Sequence, residues 1–191
     1  MQLLTQQQIN ELLNSDELHI TPLLDREVQI REVGIDLRLG THFKVSVQSK
    51  EPVIGLSDLP METFFQDAYK KFGDSFILYP HQLVLASSFE YIKLPKNIMG
   101  LLFSRSSLNR LGIKIASVIQ PGFAGSLTVE LTNPGENGIR LQTGMRMIQL
   151  LLYEIQSNED YELISAKYVG NITPVLSQIN SDKDFEILKI I

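Results

Sequence analysis

The chain has 191 residues, with 43% hydrophobic and 20% charged side chains and a formal net charge of −5. That is room for one substantial domain, 1–191, rather than two of typical size. An acidic balance argues against a general nucleic-acid binder, which carries a basic patch or stripe. The lack of cysteine excludes disulfides and fits a reducing compartment. The first fourteen residues lack the basic start and apolar core of a signal peptide. No run approaches the length needed to span a bilayer, so the expectation is a cytoplasmic protein that meets no membrane.

Along the chain, Thr5-Gln6-Gln7-Gln8 has the form of a capping box, in which a hydroxyl and a side-chain amide satisfy orphan N–H groups reciprocally. Ile9, Leu12 and Leu13 then share one helical face, which predicts a short amphipathic helix over 5–14. A second helix is predicted over 58–72, where Met61, Phe64, Phe65, Ala68, Tyr69 and Phe72 recur at helical spacing and Pro60 falls in the first turn. From Ser75 onward the pattern changes to short apolar runs at 76–78, 83–86, 98–103, 113–119, 127–131 and 147–153. Turn residues separate them, among them Pro80, Pro95, Pro121-Gly122 and Pro134-Gly135. Many short strands at this spacing predict a mainly β domain, an antiparallel sandwich or a distorted, jelly-roll-like barrel with short helices.

The stretch 103–133 carries the chemistry. It opens with Arg105, Ser106, Ser107 and Arg110 around a short turn. It closes in a strand where Leu127, Val129 and Leu131 face one way and Ser126, Thr128, Glu130 and Thr132 the other. Arginine forks and hydroxyls suit phosphate oxygens, and a strand carboxylate suits proton transfer. The plainer readings are a polar helix start with a serine cap and a solvent-facing strand glutamate.

These residues resemble the dCTP deaminase family, of the dUTPase-like superfamily. Gly34 through Gly40 is similar to that family's DLRLG strand. Phe76 to Pro80 and Tyr91 to Pro95 are similar to its "L-x-P … EYxxLP" segment, and Lys167 to Asn171 with Ser177-Gln178-Ile179 to its closing "KYxxQ … SxI" element. The resemblance implies a dUTPase-type fold, a homotrimer with sites at subunit interfaces, and hydrolytic deamination of dCTP to dUTP and ammonia. It implies Glu130 as the proton shuttle, held in a partly desolvated pocket that raises its pKa, with Ser106 placing the water and Arg110 holding the constellation. Nucleotide contacts would come from Arg105, Ser106, Ser107, Arg110, Gln120, Thr128, Tyr161, Lys167 and Asn171. The ligand would be a deoxynucleoside triphosphate, dCTP in preference to dUTP or dTTP, with magnesium carried by the triphosphate. Zinc deaminases hold their metal with one histidine and two cysteines, or with three cysteines. With no cysteine, and with His19, His42 and His81 dispersed as surface or turn residues, no zinc or other protein-bound metal is expected.

Where the family reads I-D-P-G, this chain reads Ile119-Gln120-Pro121-Gly122. Glutamine can hydrogen-bond a sugar hydroxyl but is not a base, which weighs against dUTPase chemistry. The 112–120 connection is about three residues shorter than in the family, and Asn171 stands where a glutamine is expected. The alternative reading is therefore a catalytically impaired relative that binds a deoxynucleotide as a sensor or interaction module.

Overall fold

Among the described residues, nine of eleven strands form one antiparallel sheet, and the longest of them holds it together by changing partners halfway along. The computed structural model describes residues 1–50, 53–54, 60–156 and 170–179. The strands are β1 (Gln2–Leu3), β2 (His19–Thr21), β3 (Ile35–Ser46), β4 (Phe65–Tyr69), β5 (Ser75–Leu78), β6 (Leu83–Lys93), β7 (Ile98–Ser104), β8 (Ala116–Ile119), β9 (Ala124–Thr132), β10 (Ile139–Gln142) and β11 (Arg146–Glu154). Short helices are α1 (Gln6–Asn14), α2 (Arg26–Gln29) and α3 (Ser106–Asn109), with a 3-10 turn at Met61–Phe64. The first residues of β3 pair with β11, which continues to β7 and β8; its later residues pair with β4 and β6, and β6 continues to β9 and β2. A register irregularity between Leu39 and Phe43 marks the point of exchange. Such a bend lets one strand serve both halves of a curled sheet.

Alternation along the strands builds the core. Ile35, Leu37 and Leu39 of β3, Val84 and Ala86 of β6, Leu127, Val129 and Leu131 of β9, and Ile148, Leu150 and Leu152 of β11 are all buried in one cluster. Ile9 of α1 joins them. That helix begins as its sequence predicts: the Gln8 N–H donates to Thr5 Oγ1 while Gln8 Oε1 accepts from the Thr5 N–H.

The helix predicted over 58–72 does not form. Met61–Phe64 is a single 3-10 turn, and Phe65–Tyr69 is a strand on the edge of β3. The aromatic stripe does not share one buried face: Phe64 is buried, whereas Tyr69 and Phe72 are exposed. Pairing with the unsatisfied edge of a twelve-residue strand outweighs local periodicity, and aromatic residues fit a pleated surface well. The strand predicted over 113–119 is shorter, Ala116–Ile119. Ile113 and Ile115 are buried as anchors of the turn before it, and the Ile113 N–H donates to the Leu108 carbonyl.

Candidate active site

The turn after β7 is built around Arg105. Its backbone is extended, and its carbonyl accepts from the N–H groups of Leu108 and Asn109 at 2.9 and 3.1 Å, closing one helical turn. Buried Leu108 pins that turn while Ser106, Ser107 and Arg110 stay exposed. Arg110 Nη1 donates back to the Ser106 carbonyl at 3.2 Å. The turn thus presents two hydroxyls between two guanidinium-bearing residues.

Arg105 itself is held from behind. Its N–H donates to the Met147 carbonyl, Nη1 donates to the Arg146 carbonyl at 3.3 Å, and Nε lies 3.2 Å from Asp36 Oδ2. Arg146 Nη1 reaches the same carboxylate oxygen at 3.2 Å and donates to the Val28 carbonyl at 2.8 Å. Asp36 is only 3% exposed, so its charge is tolerable because it is paired.

A second buried carboxylate supports this assembly. Gln29, fully buried, donates through Nε2 to the Asp36 carbonyl at 3.1 Å and to Glu90 Oε1 at 2.8 Å. Its Oε1 accepts from Arg38 Nε and from the Asp25 N–H. The Arg38 N–H donates to Glu90 Oε2 at 2.9 Å. Burial pushes the Glu90 carboxyl from 4.5 up to about 7, against the opposing pull of these hydrogen bonds and of the Arg38 charge.

Glu130 lies on another part of the sheet. Along β9 the core face is Leu127, Val129 and Leu131, and the outer face carries Thr128, Glu130 and Thr132, the alternation expected from sequence. Register places Asp67, Lys44, Leu85 and Glu130 in one row across β4, β3, β6 and β9. Glu130 is exposed. Strand alternation turns this side chain away from the core, and the described residues of the chain do not enclose it in the partly desolvated pocket expected from sequence.

The chain after Gly170 returns along β9. The Gly170 N–H donates to the Ala124 carbonyl, the Ser126 N–H to the Asn171 carbonyl at 2.8 Å, and the Val175 N–H to Thr128 Oγ1 at 3.0 Å. Gly125 permits the approach: its φ is +153°, and a Cβ there would lie 3.0 Å from the Asn171 carbonyl oxygen. The segment thus sets Asn171 beside Gly125 and Ser126, and Val175 beside Thr128. Gln120 is exposed at the end of β8, where its carbonyl accepts from the Phe123 N–H. Tyr161 and Lys167 lie outside the described residues. Among the described residues, no hydrogen bond or ion pair joins Glu130 to Arg105, Ser106, Ser107 or Arg110, and no group of three or more His, Cys, Asp or Glu is placed to hold a metal ion.

Sequence reasoning passed over Asp36, Arg146, Gln29 and Glu90. The visible signal was Asp36 and Arg38 inside the otherwise apolar run Ile35 to Leu39. Charges at such positions need partners, but those partners lie 7 to 110 residues away in sequence.

A family model described as dCTP deaminase-like matches residues 3–155. A dCTP deaminase of Natronomonas pharaonis is 31% identical over 193 residues, covering 96% of this chain and 97% of that protein. A dUMP-forming dCTP deaminase of Dictyoglomus thermophilum is 33% identical, covering 94% and 96%. The crystal structure of 2'-deoxycytidine 5'-triphosphate deaminase from Agrobacterium tumefaciens superimposes with a TM-score of 0.62 at 22% identity, over 78% of this chain and 46% of that longer one. That likeness gives the same curled antiparallel fold, and the near-complete matches in sequence give the relationship: the chain belongs to the dCTP deaminase-like family of hydrolases.

Proposed function

We propose that this protein hydrolyses dCTP to dUTP and ammonia in pyrimidine deoxynucleotide metabolism. The observation that carries the reading is the outer face of β9, where Glu130 stands accessible on a strand whose alternate residues are locked in the core. In the scheme, a water oxygen adds to C4 of cytosine and Glu130 takes up its protons in turn. One is delivered to N3 and one to the exocyclic nitrogen. The C4–N bond then breaks, ammonia leaves and a carbonyl remains at C4. A single carboxylate serves as base and then as acid.

Arg105, Ser106 and Ser107 hold the phosphates, Lys167 and Asn171 close over them, and Tyr161 is a further nucleotide contact. Magnesium would come with the substrate, carried by its triphosphate and neutralising part of its charge. Ser106 orients the water and Arg110 steadies the turn, while Gln120 faces the deoxyribose and Thr128 is a further nucleotide contact. Relatives are named either dCTP deaminase or dUMP-forming dCTP deaminase. The neutral amide of Gln120, which is no base, favours release of dUTP with the triphosphate intact.

Within this reading the protein is a cytoplasmic homotrimer, and each site is assembled from two subunits. In support, no hydrogen bond or ion pair among the described residues joins Glu130 to the Arg105 turn. The sheet edge beside that turn leaves Phe103, Leu111 and Val118 exposed at 42%, 55% and 53%. A direct test is Glu130→Gln, which keeps shape and hydrogen bonding but cannot titrate. Ammonia release should vanish while dCTP binding stays within about tenfold, or roughly 1.4 kcal/mol. Turnover retained by that variant would remove Glu130 from the scheme.

A further inference from the structure

Asp36 carries two guanidinium groups on one carboxylate oxygen. A structural ion pair normally balances its charges; here two positive groups meet one negative, and a positive charge is left over beside two exposed serines. The two arginines are not equivalent. Arg146 spends Nη1 on both Asp36 and the Val28 carbonyl. Arg105 is tied through Nε and Nη1, and its Nη2 has no protein partner among the described residues. Arg146 also keeps Nε and Nη2 without a partner among the described residues, but Arg105 is the more exposed of the two, at 33% against 23%, and directly precedes Ser106, so the free edge offered beside the serines is that of Arg105.

We propose that Asp36 is a positioning residue that orients the Arg105 guanidinium toward the outer phosphates of the nucleotide. This rests on the reading of Arg105 as a phosphate contact. Asp36 is suited to the task because its own place is over-determined. It is paired to Gln149 in the β3–β11 ladder, its carbonyl accepts from buried Gln29, and its side chain is enclosed. A planar fork held in advance loses less conformational freedom on binding a phosphate than a free arginine does. Removing the carboxylate would raise the local positive potential, but screening weakens that effect at a part-exposed group. Loss of orientation should dominate.

The test compares full-length wild type, Asp36→Asn, Arg105→Ala and the double variant, measuring calorimetric binding of dCTP and dCMP with magnesium. Arg105→Ala should weaken dCTP by about tenfold or more and dCMP by less than about threefold, as expected for a charge-assisted contact to outer phosphates. Asp36→Asn should reproduce most of that selective loss, yet add less than about twofold in the Arg105→Ala background, because its effect passes through the arginine. A dCTP affinity within twofold of wild type, or a full additive loss in the double variant, would overturn the proposal. If Arg105→Ala leaves dCTP binding unchanged, or wild type binds no dCTP, the nucleotide reading fails and the positioning role fails with it. Should Asp36→Asn not fold, Arg105→Lys carries the test: it keeps the charge but not the fork, so a loss of about fivefold or more supports the proposal. Unchanged affinity in that variant overturns it.

Discussion

Glu90 is a carboxylic acid enclosed in the interior, and its effect on stability has a definite sign. Its folded pKa is raised from 4.5 to about 7, chiefly by burial, so between those values the folded state holds a proton that the unfolded chain has released. Its contribution to stability is fully present below about pH 4.5 and is lost as pH rises through about 7. The complete loss is on the order of 3 kcal/mol at 1.36 kcal/mol per pK unit. The wild-type melting temperature should therefore contain a downward step between pH 5 and pH 8 that shrinks in Glu90→Gln. An unchanged pH difference in the variant would show that Glu90 does not titrate in this range. Polar residues in the 103–133 stretch were legible because their type and spacing suit a phosphate and a proton. Their supports were not. Nothing local to Asp36 says that its partners are Arg105 and Arg146, and only the meeting of β3, β7 and β11 reveals it.

At the level of elements, the period-2 runs and the capping box were readable because they depend on near neighbours. The run from Phe64 to Tyr69 was not, because its partner, the later half of β3, is supplied by the fold. Only the beginning of β3 was visible, through the family-like Gly34 to Gly40 segment; its extension to Ser46 is set by pairing with β4 and β6. Gly34 is a local requirement within that strand's entry. It has φ +78°, and an added Cβ would lie 2.5 Å from the Leu150 carbonyl oxygen, far inside contact distance with backbone that cannot swing aside. Gly34→Ala should cost upwards of about 2 kcal/mol from strain and clash. The cost is readable as a lowered urea midpoint at unchanged slope. A midpoint equal to wild type would mean that the β3–β11 ladder shifts to make room.

For the whole molecule, the composition pointed to one domain, and the strand spacing pointed to the mainly β class now seen as a curled sheet closed around a single core. A candidate site divided between β9 and the Arg105 turn was legible as residues but not as geometry, since the described residues of one chain do not join the halves. Sedimentation at micromolar concentration should give a trimer near 65 kDa, three times the 21.6 kDa chain; a monomer would leave Glu130 exposed and the two-subunit site without foundation. The decisive measurement is product analysis of the wild-type protein incubated with dCTP and magnesium, assaying ammonia, dUTP and pyrophosphate separately. The proposed chemistry predicts ammonia and dUTP in equal amounts with no pyrophosphate. Ammonia accompanied by dUMP and pyrophosphate would contradict release of the intact triphosphate, and nucleotide binding with no ammonia would contradict deamination itself.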